Sequence, residues 1–227
     1  MPTLTLWPAK DLWIRTDYPT ANQNGIGLTT GVSSGIGTSY PHRTLLHYDL
    51  ASMPAYAALT AAKIRMNCLG AGLLDVEARV HRLTQTAWTE AGATWNTYDG
   101  TNAWAAAGGD YAPNPQVTWL QPSSGGFIDI TGMLALVQDA IANRGSQLHV
   151  LLKQLDEAFV AGSYYYGDRE AGAIFGETYV PRLMVDYTAA AAQLPVAEPK
   201  STSGSAGAAL PASPSGAARP ASPARGA

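Results

Sequence analysis

Residues 43–50, which read Arg-Thr-Leu-Leu-His-Tyr-Asp-Leu, are the stretch that decides the fold. Leu46, Tyr48 and Leu50 are spaced two residues apart, so an extended chain places all three on one side. The intervening positions, which include His47 and Asp49, fall on the other side. A period of two is typical of a β-strand with one buried face. This stretch therefore predicts a strand whose Leu46 side faces a core.

The same alternation recurs along the chain. It is found at 4–6, 12–14, 63–69, 76–81, 127–130, 148–153 and 182–187. Turn-rich segments separate these stretches, and the glycine-rich residues 22–27 and 31–37 are not expected to form regular strands. Residues 86–122, with tryptophans set among Gly, Asn and Pro, are expected to form one long loop. Many short strands separated by turns favour a sandwich or jelly roll.

One helix interrupts this pattern. Met133, Leu134, Leu136, Val137 and Ile141 are apolar at helical spacing. Thr131 is the expected N-cap, and residues 143–145 are expected to end the helix. The predicted fold class is therefore all-β, an antiparallel β-sandwich or jelly roll with one short helix.

The composition changes at the end of the sandwich. Residues 1–188 form the predicted β-sandwich domain, whereas residues 189–227 are dominated by Ala, Pro, Ser and Gly. Such a segment buries too little apolar area to offset its ordering entropy, so we expect a disordered tail. The tail is either a featureless terminus or a tether to a larger assembly.

Charge and cysteine content exclude several classes of function. The net charge is −3, and only 14% of the residues are charged, so no basic field is present to attract nucleic acid or an anionic membrane. No run of residues is apolar over the length of a membrane span. Cys68 is the one cysteine, which excludes an internal disulfide and a cysteine-based metal site. Its phase in the alternating run 63–69 predicts a core thiol.

The sequence shows no conventional secretory signal at its start, which reads Met-Pro-Thr-Leu-Thr-Leu-Trp. A charged start followed by 7–15 apolar residues would mark such a signal. We therefore expect location in a virion or at the cell exterior by another route. A phage surface protein, such as a head decoration or an adhesion protein, is consistent with the initiator Met and with the missing secretory signal.

Six segments in order resemble a known family. They are residues 24–31, residues 43–54 with the pattern R-T-L-L-H-Y-D-L-A-S-M-P, residues 59–66, residues 80–84 followed by 88–90 and 93–96, residues 127–131 with the helix, and residues 167–171 with the closing 179–187. Together they are similar to the DNRLRE-type domain, a carbohydrate-binding-module-like β-sandwich related to the non-catalytic part of disaggregatase. The resemblance implies a glycan ligand, whereas periodicity alone implies only the sandwich.

Aromatic residues are the candidate ligand-binding residues. Trp104, Tyr111 and Trp119 lie in the expected long loop, where exposed rings could stack on sugar rings by dispersion and buried area. Tyr164 and Tyr166 would share one face of a strand and are secondary candidates. The alternative is that the loop aromatics form a small core of their own. Trp88, by contrast, is expected to anchor the loop against the sandwich.

No catalytic or metal-binding residues are predicted. The carboxylates are scattered over turns, and the residues around Asp168 are expected to pin loops to the sandwich in an ion-pair network. The histidines match no metal-ligand spacing. No cofactor is expected, although calcium remains an alternative at the oxygen-rich turns 99–102 and 110–114.

Three functions compete. The first is a non-catalytic carbohydrate-binding-like module, a surface or adhesion component whose partner is a polysaccharide or cell-surface glycan. The second is a purely structural virion protein, a capsid decoration or tail protein that partners copies of itself or a virion lattice. The third is a polysaccharide-degrading enzyme, which needs a cleft with opposed acids.

Overall fold

The structure is a computed structural model that describes residues 1–25, 27–35, 38–54 and 58–188. The predicted tail at 189–227 lies outside the described residues. The strands are β1 (Thr3–Leu6), β2 (Lys10–Arg15), β3 (Leu28–Gly35), β4 (Thr38–Asp49), β5 (Ala58–Gly70), β6 (Val76–Leu83), β7 (Tyr111–Gln121), β8 (Gly126–Thr131), β9 (Gln147–Gln154), β10 (Gly162–Tyr166) and β11 (Arg182–Thr188). The helices are α1 (Leu134–Asn143) and α2 (Arg169–Phe175), followed by a 3₁₀ turn at Glu177–Tyr179.

All strand pairs in the described residues are antiparallel, and they form two layers. One layer has the order β1-β11-β5-β8, and the other contains β4, β9, β6 and β7, with β2 and β3 both paired to β4. β10 joins the layers because it pairs with β3 on one side and with β5 on the other. The predicted all-β sandwich is confirmed.

Alternating side chains from both layers meet in one core, which holds the sandwich together. Ile64 and Met66 of β5 face Leu46 and Tyr48 of β4, and all four side chains are fully buried. Cys68 belongs to the same core and is 3% exposed, as its phase predicts. At about 25 cal/mol per Å2 of apolar surface, burial of these faces is the main stabilising contribution to the fold.

The second layer is also covered on its outer face, but only in part. Leu45 of β4, Leu83 of β6 and Leu151 of β9 point away from the main core and are at most 1% exposed. They pack beneath the loop 84–110 and form a second, smaller core with Trp88 and Trp104. The loop thus creates a boundary between a covered half and an open half of this face.

Two regions expected to be irregular form strands. β3 contains the glycine-rich residues 28–35, because β4 and β10 supply ladder partners on its two sides. Gly31 has φ +113°, and a Cβ there would lie 2.6 Å from the carbonyl oxygen of Gly162. β7 occupies the end of the expected long loop, and its register shifts between His81 and Leu83 on β6, which accommodates Pro113 at the sheet edge.

The helical segments differ in detail from the prediction. α1 begins at Leu134 with Met133 as its N-cap, and Thr131 belongs to β8 instead. α2 was not predicted; the side chain of Asp168 caps it by accepting a hydrogen bond from the amide of Ala171. No helix in the described part of the chain combines the length and apolar character that crossing a membrane requires.

Candidate functional site

The loop 84–110 is anchored by tryptophan side chains that are themselves hydrogen-bonded. Trp88 is fully buried, and its Nε1 donates to Nδ1 of His149 over 3.1 Å. Trp104 is 4% exposed, and its Nε1 donates to the carbonyl oxygen of Thr94 over 2.9 Å. Because each indole N–H has a partner, burial of these rings carries no unsatisfied donor. The predicted anchoring role of Trp88 is confirmed.

Two histidines form the floor beneath Trp88. The rings of His47 and His149 are stacked with centroids 4.0 Å apart and an interplanar angle of 1°. Burial, together with smaller contributions from His47 and Lys10, lowers the pKa of His149 to about 3. Burial also lowers the pKa of His47. Both rings are therefore neutral at pH 7, which is required for His149 to accept the N–H of Trp88.

An ion-pair network fixes the loop near Glu90, as predicted for the residues around Asp168. Arg169 donates to Glu90 of the loop over 2.8 Å and to the carbonyl oxygen of Ala9 over 2.6 Å. Asp168 accepts the amide of Gly27 over 2.5 Å. Asp11 accepts the amide of Arg169 over 2.7 Å, and burial raises the pKa of Asp11 to about 8. This network joins β2, the loop and α2.

The open half of the outer face forms a depression of about 390 Å3, hereafter the groove. Strands β6, β7 and β9 supply its floor and walls. Its lining residues are Arg79, His81, Tyr111, Pro113, Asn114, Gln116, Lys153, Gln154 and Leu155. The groove combines one half-buried aromatic ring with amide, imidazole and cationic groups, which is the mixture that orients a polar ligand.

The strand register places two cations side by side in the groove. Arg79 on β6 lies directly opposite Lys153 on β9. Like charges at directly opposed positions of an antiparallel pair are destabilising, so this arrangement is not explained by the stability of the sheet. Arg79 donates to Oε1 of Gln116 over 3.0 Å, and its Nε has no acceptor within the described chain.

His81 presents an acceptor in the groove. Its Nδ1–H donates to the carbonyl oxygen of Ala112 over 3.2 Å, so the neutral ring keeps a lone pair on Nε2. Burial lowers its pKa, and the charges of Lys153, Arg79 and Arg43 act in the same direction. The ring lies 4.6 Å from that of Tyr111. His81 therefore supports Tyr111 and stays uncharged near neutral pH.

Tyr111 lies beside a pair of neighbouring cations where the loop rejoins the sheet. The guanidinium carbon of Arg43 and Nζ of Lys153 each lie 5.7 Å from its ring centroid. Glu157 binds both cations: its carboxylate accepts Nε and Nη2 of Arg43 over 2.7 and 2.6 Å, and Nζ of Lys153 over 3.0 Å. The ring is thus held within a charged frame at one end of the groove.

Comparison with known proteins assigns the sequence of this chain to a family. The sequence profile of carbohydrate-binding module family 96 matches residues 2–125, which is more than half of the chain. The chain belongs to carbohydrate-binding module family 96. The match includes the strands β1–β7 and the loop 84–110, and therefore Arg79, His81, Tyr111 and Gln116 of the groove. No curated protein matches the module.

The structure brings one of the predicted ligand-binding residues of this module to the groove. Tyr111 is half-buried and lines it. Trp119 is 7% exposed in the main core, and Trp104 lies in the core beneath the loop. Tyr164 and Tyr166 share one face as expected, but that face is the main core, and both are fully buried. These four rings offer no free face for a sugar.

The physical reason is the position of each ring relative to the two sheets. Trp119 follows Val117 at a spacing of two in β7, so both point into the sandwich. Trp104 belongs to a loop that folds back over Leu151 and Leu83. The predicted alternative, a small core of loop aromatics, describes Trp104 correctly.

Sequence reasoning missed most of the groove. Arg79 and His81 lie in the polar phase of an alternating run that was recognised, but nothing in one strand shows which neighbours share its outer face. Lys153 follows Leu151 in the polar phase of β9 in the same way. The available signal was the density of Arg, His and Lys on the outward positions of β6 and β9.

In the two segments considered for calcium, Asp99 and Asp110 each accept backbone amides, and residues 111–114 belong to β7. Asp99 accepts the amides of Thr101 and Asn102 over 2.9 and 2.7 Å. Asp110 accepts the amides of Ala105 and Ala106 over 2.9 and 2.7 Å. Within the described ranges, no group of three or more His, Cys, Asp or Glu is arranged to hold a metal ion. The structure therefore gives these carboxylates a turn-stabilising role.

Proposed function

We propose that this family 96 module is a non-catalytic glycan-binding module and that the glycan binds in the groove. The observation that carries the proposal is the half-buried ring of Tyr111 at one end of a depression whose floor bears hydrogen-bonding groups. The DNRLRE-type resemblance of the sequence leads to the same class of ligand. A polysaccharide or a cell-surface glycan is the proposed partner.

The groups in the groove complement the two kinds of surface that a sugar has. The C–H face of a sugar ring would stack on Tyr111, with a gain of about 25 cal/mol per Å2 of apolar area. Sugar hydroxyl groups would donate to Nε2 of His81 and exchange hydrogen bonds with the amides of Asn114 and Gln116. A groove with one aromatic platform implies weak binding, which gains strength when several modules engage one chain.

The charge of the groove favours acidic sugars. Arg79 and Lys153 are opposed across the strands, and Glu157 compensates only the second of them directly. A carboxylate or sulfate group on the glycan would relieve the repulsion between the two cations and accept charge-assisted hydrogen bonds. We therefore propose acidic polysaccharides as the preferred ligand class.

The lining of the groove also supports a binding role without catalysis. Hydrolysis of glycosidic bonds commonly uses a pair of carboxyl groups on either side of the scissile bond. The described residues that line the groove include no Asp or Glu. The carboxylate of Glu157, which binds the groove residue Lys153, is also engaged with Arg43.

Native gel electrophoresis of the full chain in gels that contain polysaccharide tests the proposal. The panel includes neutral, carboxylated and sulfated polysaccharides. We expect slowed migration in at least one acidic polysaccharide, and loss of that retardation for Tyr111→Ala. Tyr18→Ala is the matched control, because Tyr18 is 55% exposed outside the groove. Equal retardation of both variants would refute the groove as the site, and no retardation of the wild type would refute the ligand class.

A second candidate function is structural, as part of a virion or other assembly at the cell exterior. An apolar depression of about 650 Å3 favours it, lined by residues that include Leu50, Met53, Leu59 and Ile141. Exposed apolar surface of this kind is common at protein interfaces. Light scattering of wild type and Ile141→Asp tests it: a larger oligomer that the variant dissociates would support assembly, and a concentration-independent monomer would contradict it.

A further inference from the structure

We propose that Glu157 is the positioning residue of the groove, and that it fixes Tyr111 and the adjoining part of the loop in the geometry that binds ligand. This inference rests on the proposed function of the groove. Glu157 does not line the groove itself. It acts through Arg43 and Lys153, the two cations that lie beside the ring of Tyr111.

Glu157 holds its two cations by short and well-directed contacts. Arg43 binds it with two parallel N–H···O bonds of 2.7 and 2.6 Å, which is the bidentate geometry that fixes direction as well as distance. The side chains of Arg43, Lys153 and Glu157 are 10%, 13% and 16% exposed. Solvent screening of this three-residue cluster is therefore weak, unlike that of a surface pair.

Arg43 connects Glu157 to the loop 84–110. Nη1 of Arg43 donates to the carbonyl oxygen of Gly108 over 2.8 Å, and the guanidinium lies 4.7 Å from the ring centroid of Trp95. The amide of Gly108 donates to the carbonyl oxygen of Trp95 over 2.7 Å. Arg43 thus binds the loop three residues before Tyr111, while its other nitrogens bind Glu157.

Removal of the Glu157 carboxylate would leave both cations without a counter-charge. Arg43 and Lys153 would then lie close together beside Tyr111 without compensation, and Arg43 would remain buried. An uncompensated buried charge is strongly unfavourable, so Arg43 would turn toward water and release Gly108. Tyr111 would lose its contacts with the two cations, and the groove would lose its fixed platform.

Glu157 also has a defined pH dependence. Burial raises its pKa, but the hydrogen bonds and charges of Arg43 and Lys153 outweigh burial, so the pKa lies below its ordinary value. The groups that face it are these two cations. Because the folded-state pKa is depressed, the contacts are complete above the ordinary value of 4.5 and are lost as the pH falls through the lower folded value.

The test uses the full chain as wild type, Glu157→Gln, Glu157→Asp and Asp129→Asn. Asp129 is a matched control because it also binds one Arg and one Lys, Arg65 and Lys63, but does so on the exposed side of β8 and β5. The first readout is amide hydrogen exchange in residues 105–112 of the free protein. The second is retardation in the polysaccharide gel that retains wild type most strongly, from pH 7 to pH 3.

We expect Glu157→Gln to speed exchange in residues 105–112 and weaken retardation, each by about tenfold or more, as loss of charged hydrogen bonds implies. Glu157→Asp should recover part of both effects, and Asp129→Asn should change neither. Wild type should keep its retardation at pH 4.5 and lose it only as the pH falls through the lower folded pKa of Glu157, whereas Glu157→Gln should show no such step.

Unchanged exchange and retardation in Glu157→Gln would overturn the positioning role. If Glu157→Gln does not fold, Glu157→Asp and the pH series of wild type decide the question. If no polysaccharide retards wild type, the proposed function fails, but the exchange rates still decide whether Glu157 fixes the loop. The two failures are therefore distinguishable.

Discussion

The covered and open halves of one sheet face show how a shift of two residues along a strand changes the role of a side chain. On β9, Leu151 lies beneath the loop and is fully buried, whereas Lys153 lines the groove. On β6, Leu83 is likewise buried beneath the loop, whereas His81 lines the groove. The strands are continuous through both halves. What separates a second core from a candidate binding surface is therefore the reach of the loop 84–110.

The largest expected effect lies in the covered half. Trp88→Ala should lower the free energy of unfolding by about 3–5 kcal/mol, because it removes a fully buried ring and leaves a cavity. Chemical denaturation followed by circular dichroism measures this. Trp7→Ala is the control, since Trp7 is 46% exposed. Similar costs for both variants would show that the loop does not form a core.

The second prediction separates the halves by pH. The pKa of His149 is about 3 when folded and about 6.5 when unfolded, so the unfolded chain binds more protons between these values. Stability should therefore fall as the pH drops from 6.5 toward 3, with a contribution from this site of up to about 1.4 kcal/mol per pH unit. Above pH 6.5 this site should contribute no slope.

The variant His149→Gln isolates that contribution, because a Gln side-chain oxygen can still accept the N–H of Trp88. His42, whose pKa burial lowers to about 4, adds a slope of the same sign in both proteins. We expect a shallower fall in the variant when denaturation is repeated across the pH range. If stability fell with equal slopes in both proteins, the stacked histidines would not stabilise the covered half.

The third prediction concerns the boundary between the halves. Gly108 has φ +90°, and a Cβ there would lie 2.6 Å from both Nη1 of Arg43 and the Trp95 ring. Gly108→Ala should therefore cost about 1–3 kcal/mol through backbone strain and the contact with Arg43. Gly25→Ala is the control, since a Cβ there has open space. Thermal unfolding compares them, and equal midpoints would contradict a strained boundary.

The smallest effect on stability is expected in the open half. Arg79→Gln should change the free energy of unfolding by about 0.5 kcal/mol or less, because it removes a partly exposed side chain that opposes Lys153. The same variant should weaken retardation by acidic polysaccharides. A loss of stability as large as that of Trp88→Ala would mean that the two halves do not differ in role.

The sandwich could be predicted from the sequence because its signal is local. Leu46, Ile64, Val80 and Val185 are each fully buried on the face that their own alternation indicates. β3 could not be predicted, since its glycine-rich residues adopt a strand only because β4 and β10 pair with them. Local propensity gives way there to hydrogen bonds made by segments far apart in the chain.

The candidate site depends almost wholly on such distant pairing. Arg79 and Lys153 become neighbours through the register of β6 and β9, which no pattern within either strand reports. The interpretation of loop aromatics as sugar-binding rings was wrong for Trp104 and Trp119, because large aromatic rings are as often buried in a core as exposed for a ligand. Tyr111 was predicted on the same grounds as Trp104 and Trp119, and it reaches the groove because it lies where the loop ends.

The single thiol of Cys68 has a practical consequence. It lies at the end of β5 with 3% of its surface accessible, and burial raises its pKa. A thiol-specific dye should therefore modify the folded protein slowly and the unfolded chain quickly. The rate at which the dye modifies Cys68 therefore reports how often the sandwich opens, without any engineered label.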